Sequence, residues 1–164
     1  MAKTSSRRVS AIVIPKNPES VFNALRDHTY TSMRHRDLLI ERVAKNTRWS
    51  LATLSCIKDL DERNRITLAK RVAKHVAWAY EMLLNTERPR GIRFQEILVD
   101  GIVNSKSMDF DYYAFATLRD ISGLTKPQRY SLVMKIYPTK YCDRALDIVN
   151  LDSDFKTILR GYPL

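Results

Sequence analysis

The feature that most constrains this sequence is a long stretch without glycine or proline. Neither residue occurs between Glu19 and Arg88, although the 164-residue chain has four glycines and six prolines elsewhere. Because these two residues most often end helices and shape tight turns, the stretch favours helices over β-hairpins. We therefore predict an all-α fold, a compact bundle of about seven to nine short helices. One short extended segment is allowed at the N-terminus, over 11–14.

The first half shows the apolar spacing of helices that each bury one face. Apolar side chains recur at steps of three and four residues, the period of a helical face. Asn17 followed by Pro18 predicts a helix start, because Asn caps helix N-termini and Pro is tolerated at the first helical position. The predicted helices begin at Pro18 and then cover Ser32–Lys45, Trp49–Asp59 and Asp61–Leu84, the last having the strongest periodicity. We find no internal repeat.

The second half contains shorter helical patterns. Thr125 and Gln128 have the spacing of a capping box, in which both side chains bond the first free backbone N–H groups of a helix. The segment Tyr130–Tyr137 is compatible with a helix or a strand, because it is rich in β-branched and aromatic residues. Further helices are predicted over 109–121, 139–149 and 153–159.

Composition and charge divide the chain into three parts within one domain. Residues 1–10 form a flexible basic N-terminus, 11–88 a basic helical region and 89–164 a near-neutral helical region packed on it. The best linker candidate is 87–91, where charged residues surround Pro89 and precede Gly91.

The chain contains two cysteines, which are too few for a disulfide scaffold and fit a reducing compartment. Cys56 is predicted to be buried and Cys142 to be partly exposed. No apolar stretch is long enough to span a bilayer, and the first residues lack the apolar core of a secretory signal. We expect a cytoplasmic protein without a membrane partner.

The positive charge is concentrated in the first part of the sequence. Residues 1–90 hold 18 Lys+Arg and 9 Asp+Glu, whereas residues 91–164 hold 10 and 9. Such an asymmetry indicates an anionic partner that meets one region of the molecule. If the second and fourth predicted helices pack as neighbours, their outward cations form one basic surface.

We predict a non-enzymatic nucleic-acid-binding accessory protein, acting on DNA or RNA in packaging, replication or transcription. The candidate binding residues are Arg34, Arg36, Arg42, Lys45, Arg48, Arg63, Lys70, Arg71, Lys74 and Trp78. The short length and the lack of catalytic motifs suggest a viral or mobile-element protein. The aromatic second half would complete the core and offer a surface for self-association or for a protein partner.

Two alternatives remain open at this point. The basic face can instead dock an acidic protein surface, which would make the protein an adaptor or an inhibitor. Asp109 and Asp111 form a close carboxylate pair of the kind that holds Mg²⁺ in nucleases. An acidic pair in the first turn of a helix also needs no metal, because the helix dipole favours it. The three histidines lack metal-ligand spacing, and we expect no cofactor and no metal.

Overall fold

The structure, a computed structural model, describes residues 12–85, 91–137, 139–148 and 151–160. These ranges contain ten α-helices and no strand, which confirms the all-α prediction. The helices are α1 (Pro18–Arg26), α2 (Met33–Val43), α3 (Thr47–Cys56), α4 (Glu62–Val72), α5 (Val76–Leu84), α6 (Ile92–Val103), α7 (Phe110–Asp120), α8 (Lys126–Ile136), α9 (Cys142–Leu146) and α10 (Ser153–Arg160). The predicted basic tail at 1–10 and most of the predicted linker lie outside the described residues.

The predicted long helix over Asp61–Leu84 is wrong, because it is two helices. Helix α4 ends at Val72, and α5 begins at Val76 after a turn in which His75 has extended backbone (φ −123°, ψ 105°). The apolar stripe runs through the turn without a phase shift, since Val72 and Val76 keep the four-residue spacing and are both buried. Periodicity alone therefore conceals this break.

The ten helices form two rows, one of even-numbered and one of odd-numbered helices. Helices with extensive mutual contact lie one or two positions apart along the chain. In the even row, each helix from α2 to α10 contacts the next even helix. In the odd row, α1 contacts α3, and α7 contacts both α5 and α9. Such neighbour-only packing is typical of proteins built from helical repeats. None of the helices in the described ranges is long and apolar enough to cross a membrane.

A repeat in the sequence underlies this packing, so the expectation of no repeat is wrong. Arg42-Val43-Ala44-Lys45, at the end of α2, recurs as Arg71-Val72-Ala73-Lys74 at the end of α4. The α2–α3 pair thus corresponds to the α4–α5 pair. At the same offset, the further identical pairs are Arg34 and Arg63, Arg36 and Arg65, Leu39 and Leu68, Trp49 and Trp78, and Leu54 and Leu83.

Every even helix from α2 to α8 buries the same apolar triplet near its C-terminal end. The triplet has two adjacent apolar residues and a third residue three positions later, and each member is at most 1% exposed. Its members are Leu39, Ile40 and Val43; Leu68, Ala69 and Val72; Leu98, Val99 and Ile102; and Leu132, Val133 and Ile136. Full burial of one large aliphatic side chain contributes about 1.5–3 kcal/mol, so the triplets are a main source of stability.

The two cysteines are placed opposite to the prediction. Cys56 is exposed at the end of α3, whereas Cys142 is buried and its thiol donates to the carbonyl oxygen of Leu159 at 3.8 Å. Burial raises the pKa of the Cys142 thiol. Cys142 is therefore a packing residue between α9 and α10.

Helix α6 approaches the end of α4 so closely that only glycine fits at the contact. A Cβ atom at Gly101 would lie 2.4 Å from the carbonyl oxygen of Ala73 and 2.7 Å from its Cβ atom. Gly101 thus sets the distance between α6 and the α4–α5 turn.

We expect Gly101→Ala to lower the free energy of unfolding by about 1–3 kcal/mol, because backbone must shift to admit the methyl group. This loss should outweigh the roughly 1 kcal/mol by which alanine favours a helix over glycine. Urea unfolding followed by circular dichroism measures it. Gly123→Ala is the matched control, since a Cβ atom there has its nearest neighbour at 4.0 Å. Equal stability of the two variants would contradict the close contact.

Candidate nucleic-acid interface

The first three turns that lead from an even to an odd helix lie side by side along one edge of the protein. A groove of about 420 Å³ is lined by Ala44 and Lys45 of the α2–α3 turn and by Lys74 of the α4–α5 turn. A cleft of about 470 Å³ lies between the α4–α5 turn and the α6–α7 loop, and Lys74 lines it as well. We call the residues 44–46, 73–75 and 104–109 the turn edge.

Four cations line the first groove, namely Lys45, Lys70, Arg71 and Lys74, together with the carboxylate of Glu41. Within the described ranges none of the four cations has an ion-pair partner. Gathering unpaired like charges raises the local potential and favours an anionic partner. Helices α2 and α4 thus contribute neighbouring cations, in the last turn of α4 and in the turns that follow both helices.

The helix dipole explains only part of this cluster. Lys70 and Arg71 lie in the last turn of α4, where a cation is favoured by the negative end of the dipole. Lys45 and Lys74 lie beyond the helix ends, in the two turns, and both are exposed. Within the part of the chain that the structure describes, no salt bridge accounts for the position of these two lysines.

Lys106 extends the basic edge to the third turn, and sequence reasoning did not select it. It is exposed and lines the cleft with Asn104, Ser105 and Ser107. The loop is held against α8, because Lys135 Nζ donates to the Ser105 carbonyl at 3.3 Å. The near-neutral balance of the second half concealed Lys106, whereas its place in the third even-to-odd turn identifies it.

The prediction that Arg36 belongs to the binding surface is wrong. Arg36 is 5% exposed and donates to the Asp59 carbonyl oxygen at 2.9 Å. It also forms an ion pair with the Asp59 carboxylate at 3.1 Å and lies over the Tyr30 ring. Arg36 therefore joins α2 to the α3–α4 loop and is closed to a ligand.

The other predicted residues fall into two groups. Arg34 and Arg63 are exposed but lie in the first turns of α2 and α4, roughly 16 Å along the helices from Lys45 and Lys74. Arg42 is half-buried and donates to the Lys16 carbonyl at 3.2 Å. The predicted continuous basic surface therefore does not include these three.

Arg48 and Trp78 do lie beside the turn edge. They occupy the first turns of α3 and α5, directly after the turns that carry Lys45 and Lys74. Arg48 is exposed, with its guanidinium 5.7 Å from the centre of the Trp49 ring. Trp78 is half-buried and stacks on His75, with ring centres 4.3 Å apart.

Several cations of the second half are matched by carboxylates. Arg119 pairs with Asp120 at 2.7 Å, Arg129 with Asp152 at 3.7 Å and Lys126 with Asp154 at 3.3 Å. In these three pairs a nearby carboxylate offsets the positive charge, unlike that of the groove cations.

The predicted carboxylate pair lies at the start of α7. Asp109 occupies the N-cap position and Asp111 the first turn, where its Oδ1 accepts from the Tyr112 backbone N–H at 2.8 Å. Among the described residues no group of three or more His, Cys, Asp or Glu side chains is arranged to hold a metal ion.

A hydrogen bond from Tyr80 to Asp120 joins α5 to α7 and so fixes the α4–α5 pair against the α6–α7 pair. The Tyr80 hydroxyl donates to Asp120 Oδ2 at 2.5 Å. Burial, with this hydrogen bond, raises the pKa of Tyr80 to about 12. The adjacent Arg119 guanidinium lowers the pKa of Asp120.

We expect this contact to weaken at alkaline pH. The folded protein holds the Tyr80 proton more tightly than the unfolded chain, so the stabilisation is complete below pH 10 and is lost as the pH rises towards 12. Phenolate absorbance of the wild type minus that of Tyr80→Phe should titrate near pH 12. A midpoint near pH 10 would show that the hydroxyl is free. Asp120→Asn should move the midpoint down.

No known protein family, curated protein or solved structure matches this chain. Its function is therefore inferred from its own residues.

Arg36→Gln tests the assignment of Arg36. We expect a loss of roughly 1–3 kcal/mol in the free energy of unfolding, because a buried charged hydrogen bond is removed while Asp59 remains hydrated. Any nucleic-acid affinity of the folded protein should be unchanged, since Arg36 is enclosed. Chemical unfolding and a filter-binding titration measure the two effects. If Arg36→Gln unfolds with the wild-type free energy but binds nucleic acid more weakly, Arg36 belongs to the binding surface after all.

Proposed function

We propose that this protein binds nucleic acid through the turn edge, as a non-enzymatic accessory protein. The observation that carries the proposal is the set of unpaired lysines on three successive turns, Lys45, Lys74 and Lys106, reinforced by Lys70 and Arg71. Cations spaced along one edge can neutralise successive phosphates, and each contact releases condensed counterions. The cytoplasmic location and the roles in packaging, replication or transcription belong to the same proposal.

An acidic protein is the alternative partner, because the same cations attract carboxylates. The placement of Arg48, Trp78 and His75 beside the lysines favours nucleic acid. Arginine, histidine and aromatic rings offer flat faces to bases, which an acidic protein surface does not need.

The test compares two triple variants with the same change in charge. The turn-edge variant replaces Lys45, Lys70 and Lys74 by Glu. It should no longer retain short DNA and RNA at moderate salt. The control variant replaces Lys58, Arg63 and Arg93 by Glu. These exposed cations lie in the α3–α4 loop or at the opposite ends of the helices, so the control should bind nucleic acid nearly as the wild type does.

A salt titration of the binding constant adds a second readout. The turn-edge variant should lower the slope of log K against log salt by about two to three, since roughly 0.7–0.9 is lost per phosphate contact. Equal loss in both triple variants would show attraction by net charge alone. If the wild type binds no oligonucleotide at low salt, the proposed function is wrong and an acidic protein becomes the expected partner.

A further inference from the structure

An aromatic residue recurs near the start of three odd helices, after each of the three turns. Trp49, Trp78 and Tyr112 are each the third residue of an odd helix, α3, α5 and α7. Side chains on a helix lean towards its N-terminus, so a residue in the first turn covers the surface next to the preceding turn. The three rings therefore border the turn edge. In the first two units the aromatic follows the turn lysine by four residues, as Lys45 and Trp49 and as Lys74 and Trp78.

These rings are placed at the surface and not enclosed in the core. Trp49 and Trp78 are half-buried and pack on the core from outside, and Tyr112 is 42% exposed. The Trp49 ring packs against Phe22 of α1 at 5.2 Å between ring centres and has Arg48 over it, and His75 stacks on Trp78. A base therefore stacks on these two rings only when the Arg48 and His75 side chains move aside. Tyr112 contacts Tyr141, with ring centres 6.1 Å apart. Lys140 and Arg144 both lie over the Tyr141 ring, so two more cations lie near Tyr112.

The three turns that precede these rings are separated by about one packed helix of the even row. Neighbouring helices of the even row lie about 8–10 Å apart, and the turns follow the same spacing. Duplex bases are stacked on one another and present no free ring face, whereas the bases of a single strand can be splayed apart and stacked on aromatic side chains. One lysine and one aromatic ring follow or lie in each of the three turns, and this arrangement suits a single strand better than a duplex.

Resting on the proposed function, we infer that the turn edge binds single-stranded nucleic acid, with unpaired bases stacked on Trp49, Trp78 and Tyr112. Lys45, Lys74 and Lys106 contact the phosphates between them. The chain holds only these two tryptophans, so its intrinsic tryptophan fluorescence reports on the site alone.

The first experiment titrates the protein with a mixed-sequence single-stranded RNA, the same DNA strand, and each strand annealed to its complement. We expect both single strands to quench tryptophan fluorescence and to bind at least about tenfold more tightly than the duplexes. Trp49→Phe and Trp78→Phe assign the quenching to one ring at a time. Single-strand binding without quenching, or tighter duplex binding, would overturn the inference.

The second experiment measures the contribution of the rings. Trp78→Leu and Tyr112→Leu keep an apolar side chain but remove the stacking face, and each should weaken single-strand binding roughly 5- to 100-fold. Duplex binding should be unchanged, and Trp78→Phe should restore most of the single-strand affinity. Tyr130→Leu is the control, because Tyr130 is an exposed tyrosine in the middle of α8, at 48% exposure. Thermal unfolding checks that each variant folds.

The two proposals fail in different ways. If the lysine-to-glutamate triple variant loses binding but neither ring substitution affects it, the basic edge binds nucleic acid without stacking, and only the inference is lost. If no nucleic acid binds the wild type at low salt, both are lost.

Discussion

The structure depends on burial of the apolar triplet at the end of each even helix. Val43, Val72 and Ile136 are the last residues of their helices, and Ile102 is the last but one. Packing places the triplets of neighbouring even helices side by side, and it therefore also places the turns that follow these helices side by side. The turns after α2, α4 and α6 are therefore brought to one edge by the hydrophobic core.

The charges at that edge are a consequence of repetition. Arg-Val-Ala-Lys occurs twice, and each copy ends a helix with a buried valine and begins a turn with an exposed lysine. One residue of the motif thus anchors the helix and another faces solvent. Lys45 and Lys74 have no ion-pair partner within the described ranges, whereas Arg129 and Lys126 of the C-terminal half meet aspartates.

Local signals in the sequence predicted much of the fold. Asn17 with Pro18 and Thr125 with Gln128 begin helices as expected, and the capping box is complete in α8. These features are determined by a few adjacent residues, so the sequence is sufficient. The break at His75 is different, because the apolar period continues through it. Only comparison with Asn46, the capped start of α3 in the equivalent unit, would have indicated it.

The candidate site was less predictable, since the number of charges in a segment does not show whether a given side chain is exposed or which residues it contacts in the fold. Arg36 meets Asp59, 23 residues away in sequence, and is removed from the surface. Lys106 lies in a region of near-zero net charge but is brought beside Lys74 by α6. Both outcomes depend on contacts between helices and not on composition.

The neighbour-only packing of the helices has a consequence for how the molecule folds and loosens. Contacts between residues that are close in sequence form quickly, because little chain entropy is lost in closing short loops. Local opening in such an array can begin at an end, so α9 and α10 can detach while α2 to α6 keep their arrangement. Hydrogen exchange would then be fastest at the C-terminal helices and slowest at Leu68 and Leu98.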